Sequence, residues 1–337
     1  MFQYQYCIAV AVVIASCGCD SSTLHLKQSF STPWYPKWVN YSPSGSDLSI
    51  IANDGIYVLN MPSKKLQQLI YRKGCQSCLA FFENETMFLY VDGETKLVDR
   101  ELSNVTSTID EYVFVMDCVS IGKSHILLVG TDSIGVEETG QPTILSVKDG
   151  KFSDSIVLPG CSKAVSRTCA AAHTEHGYRI AIGYLGDCPA EIYDLQIDSN
   201  GKLTIQNNFI LPQSSLCLKM SSNATRIASW NGESIVVYAI DENGRYQVLD
   251  VDLTSPIGKR LQSAKLLGFE TQFLALSSDG SLLAWADEDG IVAIDLNTGE
   301  KWSSSTPAAC IAISPDGKSI AAGCPQRVNI YDVTPKK

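Results

Sequence analysis

Twelve cysteines and four histidines are the side chains of greatest chemical reach in this 337-residue chain, and their spacing limits what they can do. Cys75-Gln-Ser-Cys78 has the spacing of a dithiol redox pair or of half a zinc site. A redox pair of that kind opens a helix, whereas Cys78 leads into a strand-like run, and no second half-site follows. His173-Thr-Glu-His176 would present two imidazoles on one helical face, but its surroundings place it in a turn between strands. Cys78, Cys217 and Cys310 each stand at the start of a first strand, with Cys118 and Cys169 close to the same point. A ring of thiols suggests metal or redox work. Zinc needs four ligands converging on one point, and regular spacing around a ring keeps them apart, so small apolar fillers are the preferred reading. Among Cys161, Cys169 and Cys188 the spacing predicts one local disulfide, the pair left open. No Gly-x-Ser-x-Gly elbow, phosphate loop or His-Glu-x-x-His is present. No catalytic residue, metal ligand or cofactor is therefore assigned, and any general base would have to be a carboxylate.

The elements that must position these groups repeat with a period near forty residues. The clearest copies are Phe273–Trp285 followed by Asp289–Asp295, and Cys310–Ala322 followed by Val328–Asp332. Each reads strand, tight turn, strand, turn, strand. The earlier copies run Trp38–Leu69, Cys78–Ile109, Cys118–Leu158, Cys169–Leu211 and Cys217–Leu253. Asp54-Gly55, Asp92-Gly93 and Asn231-Gly232 sit at the second turns, where residues accepting positive φ are needed. No long helical period appears anywhere in the body of the chain. The pattern predicts an all-β, seven-bladed β-propeller. The last copy lacks a fourth strand, while Thr23–Phe30 alternates like a strand with no copy of its own. Pairing Thr23–Phe30 with Val328–Val333 would close the ring and cover an open edge.

The Ser-Pro-Asp316-Gly317 turn and the strand endings Tyr193-Asp194, Ile240-Asp241, Ile294-Asp295 and Tyr331-Asp332 resemble those of the WD40 and TolB-like propeller families. The resemblance extends over nearly everything from Trp38 onward and implies a WD40-like repeat protein. The Gly-His dipeptide that precedes each first strand in true WD40 repeats is missing. The recurrent aspartates are read as turn caps bonding backbone N–H groups.

The first residues differ from the rest. Cys7–Ser16 is uncharged and mostly apolar, too short to span a bilayer but suited to a signal-peptide core. Ile14-Ala15-Ser16-Cys17 resembles a bacterial lipobox, which implies lipidation at Cys17, although Met1–Tyr6 carries no Lys or Arg. The expected organisation is a signal peptide over 1–16, a linker over 17–22 and a propeller over 23–337. Localisation in the cell envelope follows, with secretion as second choice. Four N-x-Ser/Thr sequons, at Asn40, Asn84, Asn104 and Asn223, would matter only in a eukaryotic secretory pathway.

A net charge of -10 disfavours nucleic acid, which is bound through cationic groups, and disfavours anionic lipid surfaces beyond the anchor itself. The leading expectation is a non-enzymatic, exported, lipid-anchored scaffold that binds a protein or peptide, with a basic partner surface. The connections between second and third strands form the expected docking face, represented by Asp54, Asp92, Asp132, Glu137, Asp187, Asn231 and Glu288. The alternatives are a hydrolase or lactonase with its site at the channel mouth, and a component of an envelope-assembly machine.

Overall fold

The computed structural model describes residues 22–32, 35–52, 54–71, 77–84, 86–91, 94–98, 114–131, 141–148, 151–161, 164–249, 273–286 and 289–333. Among these residues every regular element is a β-strand. Residues 1–21, which include the expected signal peptide and Cys17, and Cys75, Asp92, Asp132, Glu137 and Glu288 lie outside the described residues.

The strands follow the repeat copy by copy. Sheet I holds β3 (Pro36–Tyr41), β4 (Asp47–Ala52), β5 (Gly55–Asn60) and β6 (Lys65–Tyr71), with β1 (Ser22–Thr23) and β2 (His25–Ser31) lying before it in the chain. Sheet II holds β7 (Ser77–Phe81), β8 (Met87–Val91) and β9 (Glu94–Val98). Sheet III runs β10 (Phe114–Ile121), β11 (His125–Thr131), β12 (Thr143–Lys148), β13 (Lys151–Val157). Sheet IV runs β14 (Ser166–Thr174), β15 (Gly177–Tyr184), β16 (Pro189–Ile197), β17 (Leu203–Ser214). Sheet V runs β18 (Cys217–Met220), β19 (Arg226–Trp230), β20 (Ile235–Ile240), β21 (Tyr246–Leu249). Sheet VI contains β22 (Leu274–Leu276), β23 (Leu282–Ala286), β24 (Ile291–Asp295) and β25 (Lys301–Ser304), and sheet VII contains β26 (Cys310–Ile313), β27 (Ser319–Cys324) and β28 (Arg327–Asp332).

The chain is a β-propeller. Apolar clusters join each sheet to the next: Trp38 and Ile56 meet Leu79 and Phe81 between I and II, Phe88 meets Ile126 between II and III, and Ile144 meets Ile180 between III and IV. Ile192 meets Tyr238 between IV and V, Trp230 meets Trp285 between V and VI, and Ala284 meets Ile320 between VI and VII. Val39 and Ile50 meet Ala321 and Ile330 between VII and I, which returns the ring to its start. The core is therefore a circle of inter-sheet layers. Small residues such as Ala181, Ala284 and Ala321, all fully buried, let the sheets approach closely.

One expectation needs correction, and the ring-closing pairing is found with its strand starting two residues later than expected. Seven four-stranded blades are not what the described residues show: six sheets have four or more strands, and sheet II has three. The fourth strand expected in the second copy falls on residues outside the description. The closing strand is β2 (His25–Ser31), which pairs antiparallel with β28 from His25↔Asp332 to Ser31↔Arg327. Ser22–Thr23 (β1) instead pairs in parallel with Trp302–Ser303 on the outer edge of sheet VI. Leu24, between the two, is 4% exposed and packs into the layer joining VI and VII, so a buried apolar anchor makes the segment change sheets there.

The turns obey their local chemistry. Ser277 and Ser314 donate to the carboxylates of Asp279 and Asp316 at 2.6 Å, and Gly280 and Gly317 take φ of +74° and +70°. Asp241, Asp295 and Asn60 cap the turns after their third strands, accepting from the backbone N–H groups of Asn243, Asn297 and Ser63. Two strand-ending aspartates depart from that expectation: Asp194 binds Arg179 and Asp332 binds Lys27. A cation supplied by a neighbouring strand takes the place of the turn N–H.

Candidate functional site

The described thiols on the inner strands are packing groups. Cys118, Cys169, Cys217 and Cys310 are buried and free. Burial pushes the Cys169 thiol well above its ordinary value and Cys217 up to about 11, so neither is a thiolate near neutrality. Among the described residues the inner strands carry one buried carboxylate as well. Asp117 accepts hydrogen bonds from the backbone N–H groups of Cys118 and Cys169 and from the Thr168 hydroxyl. Thr168 in turn accepts from Leu218 N–H, so the relay stitches sheets III, IV and V together. Desolvation raises the Asp117 pKa, partly offset by Lys219 and by these hydrogen bonds. Every oxygen of this carboxylate is engaged by the fold. It is a structural clamp.

The predicted docking face fares unevenly. Asp187 is exposed. Asn231 is a half-buried turn cap: its side-chain oxygen accepts from Glu233 and Ser234 N–H, and its amide donates to Gln213. Asp54 is not on the surface. It is 4% exposed and accepts the Tyr57 hydroxyl at 2.5 Å, because the tight turn before Gly55 folds the carboxylate back over the third strand. On this same side the disulfide is Cys161–Cys188, with Cys169 free. It ties the III–IV connection to the loop between β15 and β16. Beside it, Tyr184 and Tyr193 both donate to one oxygen of Glu191, at 2.7 and 2.6 Å. Burial, then the Glu191 bond, pushes both phenols far up.

A cleft of about 460 Å³ opens at the other end of the strands, between sheets IV and V. Its walls come from the β14–β15 turn, the β19 entry turn, the β20–β21 turn and β17. Arg179 forms the floor and is only 3% exposed. Its guanidinium holds Asp194 through two bonds, Nε–Oδ1 at 2.7 Å and Nη2–Oδ2 at 3.1 Å. Nη1 donates across the sheet boundary to the carbonyls of Ala224 and Asp241, both at 3.3 Å. The Phe209 ring lies against its other side, 5.4 Å from the guanidinium carbon. Arg179 is thus neutralised and immobilised, and its charge is spent on Asp194.

The rim has the opposite character. Glu175, Asp241 and Glu242 line the cleft and are exposed. Glu175 and Glu242 have no ion-pair partner among the described residues. His176 is exposed at the same edge, in the turn the sequence anticipated. Carboxamides of Gln206, Asn207 and Asn243 complete a wall rich in acceptors. Once Arg179 and Asp194 cancel, three acids remain at the mouth, and the field there is negative. The site suits an ammonium or guanidinium group. Sequence reasoning missed it because its parts lie far apart in the chain. The acidity of Asp241-Glu242 was visible in the sequence, but its convergence with Glu175 was not.

No protein-family model and no curated protein matches this sequence. Solved structures do. The β-propeller domain of Cps50 (Swd1) from Myceliophteria thermophila matches at 13% identity and a TM-score of 0.68, over 91% of this chain and 100% of that one. Hydrazine synthase from Kuenenia stuttgartiensis matches at 13% identity and a TM-score of 0.63, over 90% of this chain and 97% of that one. At such identity the likeness establishes the β-propeller fold alone.

Proposed function

We propose that this protein is a non-enzymatic propeller scaffold that captures a basic segment of a partner protein in the cleft between sheets IV and V. The carrying observation is the cleft itself, in which an internally neutralised arginine floor sits below Glu175 and Glu242, acids with no ion-pair partner among the described residues. A partner's Lys or Arg can enter without displacing a resident cation. Electrostatic capture of this kind raises association rate and selects against acidic partners. The three-stranded sheet II is read as the seventh blade, since it separates the layers that join it to sheets I and III.

Export with a lipid anchor at Cys17 belongs to the same proposal. The Cys161–Cys188 disulfide supports it, because such bonds persist in oxidising compartments. Anchoring would hold the scaffold at a membrane surface, where the end of the strands bearing Asp187 is a second docking candidate.

The test is fluorescence anisotropy with a labelled, acetylated and amidated peptide carrying two arginines. The double change Glu175→Gln and Glu242→Gln should weaken binding about fivefold at low salt, from roughly 0.5 kcal/mol per exposed ion pair. Asp187→Asn should leave it unchanged. Equal binding by the double variant would reject the cleft, and loss in Asp187→Asn would move the site to the opposite face. For the anchor, incorporation of a clickable fatty acid should disappear in Cys17→Ala.

A further inference from the structure

We infer that the basic segment binds as an added β-strand along the free edge of β17, with one cationic side chain turned into the cleft. This rests on the proposed function and specifies how the partner docks. Among the described residues β17 is the outermost strand of sheet IV and pairs only with β16. At twelve residues it is the longest strand among the described residues. An open edge presents unpaired N–H and C=O groups to any extended chain, and proteins normally blunt such edges with charge or shortness. The other outer strands show those devices. β6 carries Lys65, β13 carries Lys151 and Asp154, and β2 carries Lys27. β21 has four residues among those described, and β1 covers the outer edge of β25. β17, Leu-Thr-Ile-Gln-Asn-Asn-Phe-Ile-Leu-Pro-Gln-Ser, has no charged residue at all. Its interruptions are two register shifts, one opposite Asp194/Leu195 and one opposite Pro189/Glu191 that contains Pro212, and they frame Asn207–Ile210.

Two further observations fix the occupant. Ile205, just before the framed stretch, and Ile210, at its end, are 42% and 56% exposed, where apolar side chains of an added strand would cover them. Gln206 and Asn207 belong both to β17 and to the wall of the acidic cleft, so a strand laid on this edge passes the mouth where Glu175 and Glu242 stand. Charge complementarity therefore selects a cationic peptide over a neutral one. The chain already uses this mode elsewhere: Ser22–Thr23 adds to the outer edge of β25, Leu24 N–H bonds Ser303 O at 2.8 Å, and Leu24 is buried beside it. Main-chain pairing supplies affinity and alternate side chains supply specificity in such docking.

The experiment uses two peptides of identical sequence, Val-Thr-Arg-Val-Thr-Arg-Val, blocked at both ends, one with N-methyl groups on alternate residues. N-methylation keeps the charge and removes strand pairing. Titrations are run with the full chain, Ile210→Lys, and Glu175→Gln/Glu242→Gln, each checked for an unchanged melting temperature. The expected result is at least tenfold weaker binding of the methylated peptide, and a similar loss of the parent peptide with Ile210→Lys. Equal binding of both peptides, weakened by the acid-to-amide changes, would overturn strand addition while leaving the cleft as the site. Binding of neither peptide would overturn both. Concentration-dependent dimerisation abolished by Ile210→Lys, with no peptide binding, would assign the edge to a second copy of this chain and overturn the inference.

Discussion

Replacing Arg179 with leucine is expected to destabilise the fold by about 3–4 kcal/mol. Breaking a buried ion pair by removing one partner costs about 3–5 kcal/mol when the other charge is stranded. The Asp194 side chain is 21% exposed, so water recovers part of its solvation and the cost falls to the lower end, about 3 kcal/mol. The carbonyl of Ala224, a residue 1% exposed, loses its side-chain donor, adding up to about 1 kcal/mol. The Asp241 carbonyl sits in an exposed turn and adds little. Urea unfolding followed by the emission of buried Trp230 and Trp285 reads this directly. A double-mutant cycle with Asp194→Asn isolates the pair and should give a coupling of about 1.5–3 kcal/mol. The same Arg179→Leu protein, where folded, should bind the arginine peptide more tightly, because Asp194 joins the negative rim. A coupling below about 0.5 kcal/mol, or weaker peptide binding by the folded variant, would refute the view of Arg179 as a neutralised floor.

Three other outcomes follow from the same structure. Asp117 has a raised folded pKa, so the native state holds its proton more tightly than the unfolded chain. Its contribution is present below the ordinary carboxylate range and is lost as pH rises through the folded value. Thermal scans should show Asp117→Asn lacking that decline, while Asp279 and Asp316, both held low, act in the opposite sense below about pH 3.8. For Asp279, desolvation opposes the lowering and the Ser277 and Ser281 bonds outweigh it; for Asp316, the Ser314 bond leads. Reducing the Cys161–Cys188 link, which spans 27 residues, should cost about 3.5 kcal/mol by loop-closure entropy, measured as the melting shift of Cys161→Ser/Cys188→Ser. Deleting residues 23–30 removes β2 and the Leu24 anchor together and should markedly lower the melting temperature, and an unchanged value would contradict ring closure.

The blades were legible because their determinants are local. An Asp-Gly or Ser-x-Asp-Gly turn sets positive φ within four residues, and the apolar runs between turns pair with their immediate neighbours whatever lies beyond. Even the missing last strand was readable, since one unpaired edge and one spare strand imply each other. Other features depend on where the ring brings distant segments. Asp54 reads as an exposed turn acid until Tyr57 closes over it. Three cysteines allow one bridge, and only the approach of two loops selects Cys161 with Cys188. The cleft assembles Glu175, Asp194, Asn223 and Glu242 from two sheets, and no local rule links them. Hydrogen bonding along a strand is decided by neighbours in sequence; the field at a surface is decided by neighbours in space, and those exist only once the circle of sheets has closed.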